Sequence, residues 1–271
     1  MAAIILMKTR MLTPVVAVLF AAFAATQSSA QVIYGDFTNS VVSFLNVTES
    51  GPNVPPTLFV PPSPTITADP FVQLAFAPNS SIQTEQSLPF DLKTKTGQLQ
   101  MDIQAAPGLW FGLHDSLLEL YTAGSYSLSA PFGPVPQSQA FASFTASYTL
   151  AVNEVDNMPF SSGAPFAASL TLIPSGVSIV GPGGSANGTW NGSVQLDLNS
   201  IKAHFGLGPS NNITGMLLQY TANLSAAAIY GQATASMLNL NVLPSIVPEP
   251  STYAMLVMSA AGALWWARRR R

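Results

Sequence analysis

Between Ser143 and Val152 the chain alternates without a break. Phe144, Ala146, Tyr148, Leu150 and Val152 are apolar, and Ser143, Thr145, Ser147, Thr149 and Ala151 between them are small and almost all polar. Successive side chains of a strand point to opposite faces, so this stretch fits a strand with one face buried and one in water. The pattern recurs. Trp190, Val194, Leu196 and Leu198 alternate with Thr189, Asn191, Ser193, Gln195 and Asp197, and Leu99, Met101 and Ile103 alternate with Gln98, Gln100, Asp102 and Gln104. Residues 32–37, 41–48, 117–128, 168–173, 216–222 and 233–242 are further strand candidates, rich in β-branched and aromatic side chains. No stretch of the body sustains a 3.6-residue apolar period, and residues 200–205 predict one or two helical turns at most.

The punctuation agrees. Gly181-Pro182-Gly183-Gly184, Asn187-Gly188, Asn191-Gly192 and Pro131-Phe132-Gly133-Pro134 are turn or loop signals. Residues 51–78 hold eight prolines, which rules out a helix or a central strand and leaves an extended loop or edge segment. Many short half-polar strands predict an all-β body, an antiparallel β-sandwich of jelly-roll-like kind. A boundary near residues 159–165 would make two domains; the stretch is short, and one domain is expected.

Charge narrows the partners. Residues 31–246 hold three lysines (Lys93, Lys95, Lys202), no arginine and eleven carboxylates, a balance of about −8. Such a surface cannot displace counterions from phosphates, so nucleic acid and anionic lipid are poor partners. The chain has no cysteine, which excludes disulfides, cysteine–zinc sites, iron–sulfur clusters and thiol catalysis. Its stability must come from its core.

The two ends carry signals. Residues 1–30 read as a secretory signal peptide: Lys8 and Arg10 form a basic region, residues 12–25 an apolar one, and Ser28-Ser29-Ala30 puts small residues before a cut between Ala30 and Gln31. Signal peptidase and the secretion machinery are the implied partners. Met7 is an alternative start, and an uncleaved anchor the alternative reading. At the other end, residues 253–267 are mostly apolar and span about 22 Å as a helix, short of a hydrocarbon core about 30 Å thick. Trp265 and Trp266 lie where an interfacial belt would, and Arg268, Arg269, Arg270 and Arg271 predict a cytoplasmic stop. The body, residues 31–246, would then lie outside the membrane.

Val247-Pro248-Glu249-Pro250-Ser251-Thr252, a short apolar helix and an arginine cluster in that order resemble the PEP-CTERM sorting domain of Gram-negative bacteria. The resemblance covers residues 247–271. It implies recognition by exosortase, a membrane-embedded processing enzyme that would cut near Pro248-Glu249-Pro250, and an association with exopolysaccharide and biofilm. Pro248 and Pro250 lack N–H donors and disfavour helix before them, which keeps the motif extended. An ordinary tail anchor is the competing reading. The body is also similar, in short strand-and-turn stretches at residues 32–37, 41–50, 124–128 and 231–236, to a group of β-rich exported PEP-CTERM proteins, from which no activity transfers.

Chemistry-bearing constellations are sparse. His114, Asp115 and Glu119 are candidate metal ligands, but in a strand His114 and Asp115 point to opposite faces, and a solvated turn is the expected use. His204 beside Phe205 suits packing. Glu154 and Asp156, two apart, can share a face for glycosidic or calcium chemistry, yet their Asn-rich flanks before Pro159 point to a turn. Residues 181–186 match G-x-G-x-x-A, but a strand rather than a helix follows, so a hairpin loop is expected instead of a phosphate cradle. Gly184-Ser185 lacks the second glycine of a nucleophile elbow. Six N-x-S/T sequons reflect a composition rich in Asn, Ser and Thr. No cofactor motif emerges. Trp110, Phe111 and Trp190 are candidate sugar-stacking platforms, with core packing the expected use. The reading is a non-catalytic exported surface or matrix protein; a carbohydrate-binding module and a secreted hydrolase are the alternatives.

Overall fold

A computed structural model of the chain describes residues 30–52, 58–59, 65–66, 72–77, 80–84, 90–112, 115–130, 138–161, 163–181 and 183–248. In chain order its strands are β1 (Ala30–Thr38), β2 (Val42–Gly51), β3 (Thr65–Ile66), β4 (Leu74–Phe76), β5 (Ser80–Gln83), β6 (Asp91–Ala105), β7 (Leu109–Phe111), β8 (Ser116–Ala130), β9 (Gln139–Val155), β10 (Met158–Pro159), β11 (Phe166–Leu170), β12 (Gly176–Val180), β13 (Gly184–Asp197), β14 (Ile213–Ile229), β15 (Gln232–Pro244) and β16 (Ile246–Pro248). Among the described residues one helix, α1 (Leu198–His204), stands between β13 and β14. Asp197 caps it by accepting a hydrogen bond from the Ser200 N–H at 2.6 Å, and hydrogen bonding from the Ser200 side chain, then from its N–H, lowers the Asp197 carboxyl below its usual value.

The strands form two sheets, and all their pairings are antiparallel. In the first, β14 lies between β6 and β9; β2 and β1 extend it beyond β6, and β10, β11 and β12 line the far edge of β9. In the second the path runs β13-β8-β15-β4-β3, with β5 also on β15. The antiparallel, nearly all-β architecture expected from the alternation is present. The strands are longer than expected: β9 and β14 each run 17 residues, on the order of 55 Å. Among the described residues beyond Gly51, the proline-rich stretch contributes β4 and the two-residue β3, which ends its sheet path, as an edge segment should. On either side of the 159–165 stretch, β10 and β11 both pair with β9.

The inward faces meet in one core. Trp190 of β13 is 2% exposed and stacks on Phe144 of β9 with ring centroids 4.8 Å apart, joining the two sheets. Its indole N–H donates to the Ser236 carbonyl at 3.1 Å. Gly124 of β8 makes room for it: a Cβ there would stand 2.3 Å from the indole and 2.0 Å from the Ser236 oxygen.

Two glycine signals were misleading. Asn187-Gly188 and Asn191-Gly192, expected as turns, lie inside β13. Each glycine is a hole rather than a bend: a Cβ at Gly188 would meet the Tyr126 hydroxyl at 2.6 Å, and one at Gly192 would meet Leu172 at 2.4 Å. β12 and β13 do not form the expected hairpin either, since β12 pairs with β9 in one sheet and β13 with β8 in the other. Asn46 of β2, at φ 53°, forms a bulge that shifts the inward set from Val42 and Phe44 to Val47 and Glu49.

Glu49 is therefore a carboxylate on the core side, 1% exposed. It accepts hydrogen bonds from the Leu58 N–H at 2.6 Å, the Phe59 N–H at 3.2 Å and the Tyr34 hydroxyl at 2.8 Å, so it pins the proline-rich stretch to the sheets. Lys95, also buried, donates to Ser80 Oγ; desolvation pulls its pKa down and Glu49 offsets part of that.

Trp190→Ala is expected to cost about 3–5 kcal/mol and Gly124→Ala about 1–3 kcal/mol, measured by denaturant unfolding. Burial raises the Tyr220 phenol well above its usual value of 10.0. Above that pH the unfolded phenol loses its proton while the folded one keeps it, so stability falls as pH rises. Tyr220→Phe should flatten that alkaline fall when unfolding is followed from pH 9 to about 11.5.

Candidate functional site

The sorting junction is built on β7 and β16. A tight turn leads from β6 into β7, with the Leu109 N–H on the Ala106 carbonyl at 3.0 Å and Gly108 at φ 80°. β7 is held by two neighbours. Phe111 pairs with Ile213 of β14 on one side and with Ile246 of β16 on the other. Val247 then pairs with Trp110, and Pro248 with Leu109. The Gly112 N–H donates to the Ser245 carbonyl at 2.8 Å and the Ser245 N–H to the Leu117 carbonyl at 3.1 Å, which locks the approach to β16. Gly112 has φ 134°, and a Cβ on it would meet Leu198 of α1 at 2.6 Å.

The first residues of the Val247-Pro248-Glu249-Pro250 motif are thus part of the body's sheet, on its edge. β16 crosses the expected boundary between residues 246 and 247. An edge suits Pro248, which has no N–H for a further partner. Glu249, Pro250, the apolar run at residues 253–267 and Arg268, Arg269, Arg270 and Arg271 lie outside the described residues. Among the described residues no helix is long and apolar enough to cross a membrane. At the other end, the backbone of Ala30 pairs with Gly51 and that of Gln31 with Ser50, so the described part of β1 runs across the expected cut; residues 1–29 lie outside the described residues.

The other candidates do not converge. His114 lies outside the described residues; Asp115 is exposed at φ 61°, and Glu119 is exposed on β8. Among the described residues no three His, Cys, Asp or Glu side chains gather as a metal site. Asp156 and Asn157, both at positive φ, make the two-residue turn between β9 and β10. Asp156 accepts from the Asn212 N–H at 3.0 Å and the Asn211 amide at 3.2 Å, so it clamps a loop, while Glu154 stays half-buried on β9. His204 is exposed, with its ring nitrogen 3.0 Å from the Ala164 carbonyl and its ring edge-on to Phe166 and Phe205. Of the three stacking candidates, Trp190 and Phe111 are core residues and Trp110 is half-buried on β7. Sequence reasoning missed Glu49, because unbroken alternation from Val42 and Phe44 would place it on the outward face, and the bulge at Asn46 turns it inward.

The first part of the identity is the fold: a nearly all-β body of two antiparallel sheets whose last described strand, β16, reaches into Val247 and Pro248. The second part is the signal itself. The profile of the PEP-CTERM protein-sorting motif matches residues 247–271, so the chain carries that motif, which implies an exported protein targeted to exosortase. No curated protein matches the chain. Among solved structures it is similar to the family 11 xylanase from Neocallimastix patriciarum, with 10% identity over 80% of this chain and 100% of that one, at TM-score 0.17. It is similar to the mannan-recognising carbohydrate-binding module TmCBM27, with 8% identity over 80% of this chain and 98% of that one, at TM-score 0.15. The enzymatically active domain of bacteriophage CBA120 tailspike protein 4 shows 11% identity over 81% of this chain and 19% of that one, at TM-score 0.15. At such scores none of these likenesses bears on fold or function.

Trp110→Pro removes an N–H from β7 and should loosen β16. Limited proteolysis followed by mass spectrometry is expected to show faster cutting around residues 245–248 than in the wild type.

Proposed function

We propose that this chain is an exosortase-processed surface or matrix protein without catalytic activity. The signal peptide is cut between Ala30 and Gln31. The jelly-roll-like body is held briefly at the inner membrane by residues 253–267, with Arg268 to Arg271 in the cytoplasm. Exosortase cuts near Pro248-Glu249-Pro250, and the body goes to the cell surface or beyond, in association with exopolysaccharide.

The observation that carries this is the PEP-CTERM motif at residues 247–271, beginning on β16, the last described strand. The physical chemistry supports it. An apolar run about 22 Å long is a feeble span, and four arginines resist being drawn through the membrane. From Pro248 to Tyr253 only four residues intervene, so at about 3.3–3.6 Å per residue the β7–β16 end of the body stays within about 18 Å of the anchor. The cut then falls beside a folded surface. The non-catalytic reading is supported by the engagement of Asp156 in a loop clamp, and the burial of Trp190 and Phe111 removes them as sugar-stacking platforms. Carbohydrate binding is the second reading.

Expressed in cells with and without an active exosortase, the protein should end near Pro250 in the first and keep its arginine tail in the second, by mass spectrometry of the mature chain. An intact arginine tail in exosortase-positive cells would refute the processing.

A further inference from the structure

The outward face of the first sheet is uniform over its three central strands. Counting alternate positions, residues 94–100 of β6, 219–225 of β14 and 143–149 of β9 supply twelve outward side chains, every one Ser, Thr, Asn or Gln. The registers place them in four rows of three. Rows stand about 6.8 Å apart along the strands and columns about 4.8 Å apart across them.

Two of the four rows are tied within themselves. Thr96 Oγ1 donates to Asn223 Oδ1 at 2.5 Å, and Asn223 Nδ2 donates to Thr145 Oγ1 at 3.3 Å. Two rows along, Gln219 Nε2 donates to Gln100 Oε1 at 2.9 Å and Thr149 Oγ1 to Gln219 Oε1 at 3.2 Å. The side chains are therefore partly ordered before any partner arrives, which lowers the entropy lost on binding.

Beyond the row of Thr94, Ser225 and Ser143 the face turns apolar. Phe141 is 42% exposed and Phe90 59%, and with Val180 they border a shallow depression of about 360 Å³ that Gln139 and Ser178 also line. This end of β14 is the Ile229 end. The chain leaves for its sorting motif from the Ile213 end, through Phe111 and Ile246. The aromatic step thus lies at the far end of the face from the junction.

The chemistry selects a partner. Hydroxyls and amides both donate and accept, so they can meet a sugar hydroxyl in either role. Exposed phenyl rings offer an apolar surface to the C–H face of a pyranose. A polyanion would find no cation here: Lys95 is buried on the opposite side of β6, Lys93 pairs with Asp91 at 3.6 Å, and Lys202 is bound to the Pro209 carbonyl at 2.9 Å. The net negative body repels it further.

We infer that the outer face of β6, β14 and β9, with Phe141 and Phe90 at its end, is a binding surface for an uncharged polysaccharide chain. The inference rests on export of the body to where such polymers lie, but the binding itself is measured without exosortase, so either reading can fail alone. The full chain, in a detergent without a sugar headgroup, is run through native gels containing hydroxyethylcellulose, galactomannan, alginate or no polymer. Retardation by at least one neutral polymer and none by alginate is expected. Thr145→Glu with Thr221→Glu, and separately Phe141→Ala, should each weaken that retardation about tenfold, with circular dichroism and melting temperature unchanged. Equal retardation of both variants would overturn the inference, as would retardation by alginate alone or by no polymer. Self-association that the Thr→Glu pair abolishes would make the face a contact between copies and overturn it too.

Discussion

Phe144 and Trp190, stacked 4.8 Å apart, mark where the two sheets become one body. A cysteine-free chain has no cross-link to fall back on, so burial of the inward faces must offset the entropy of ordering the chain. That explains the length of the strands. Each added pair of residues on β9 or β14 puts one more side chain into the core and one into water. It also explains the small residues that surround the large ones: Gly124 accepts the indole, Gly188 the Tyr126 ring and Gly192 the Leu172 side chain. Close packing between sheets demands such pairings of bulk and hole.

The same core organises its irregular parts. The proline-rich stretch cannot supply a full strand, and Glu49 holds its Leu58 and Phe59 amides instead. The chain's exit is organised too. β16 continues the sheet through β7, so the processing signal begins on a folded edge rather than on a free linker. In the proposed function, export, anchoring and release thereby act on a body whose β16 is already paired.

How much was legible depended on parity. Where alternation runs unbroken, as in β9 and β13, inward and outward residues followed from the sequence. Where a bulge adds a residue, as at Asn46, parity flips and Glu49 was hidden. Glycine was ambiguous for a different reason. Asn-Gly reads as a turn because glycine tolerates positive φ, but in β13 its missing side chain is what matters, and only the neighbour across the sheet reveals that. Trp190 could be assigned to an inward face by its spacing, and Phe141 falls on the outward parity of β9, whereas Phe90 stands just before β6 begins, where no alternation places it.

The sequence by itself determined the period of two, hence an all-β body with one wet face per strand, and it determined the sorting motif, whose recognition is local and linear. Tertiary structure alone decided which sheet each strand joins, which glycines are holes, and that the Thr, Ser, Asn and Gln side chains of β6, β14 and β9 fall into common rows. The reason is physical. Alternation is a property of one strand's backbone, but register is set by pairing between residues 58 to 137 positions apart in these strands, and no local pattern encodes that choice.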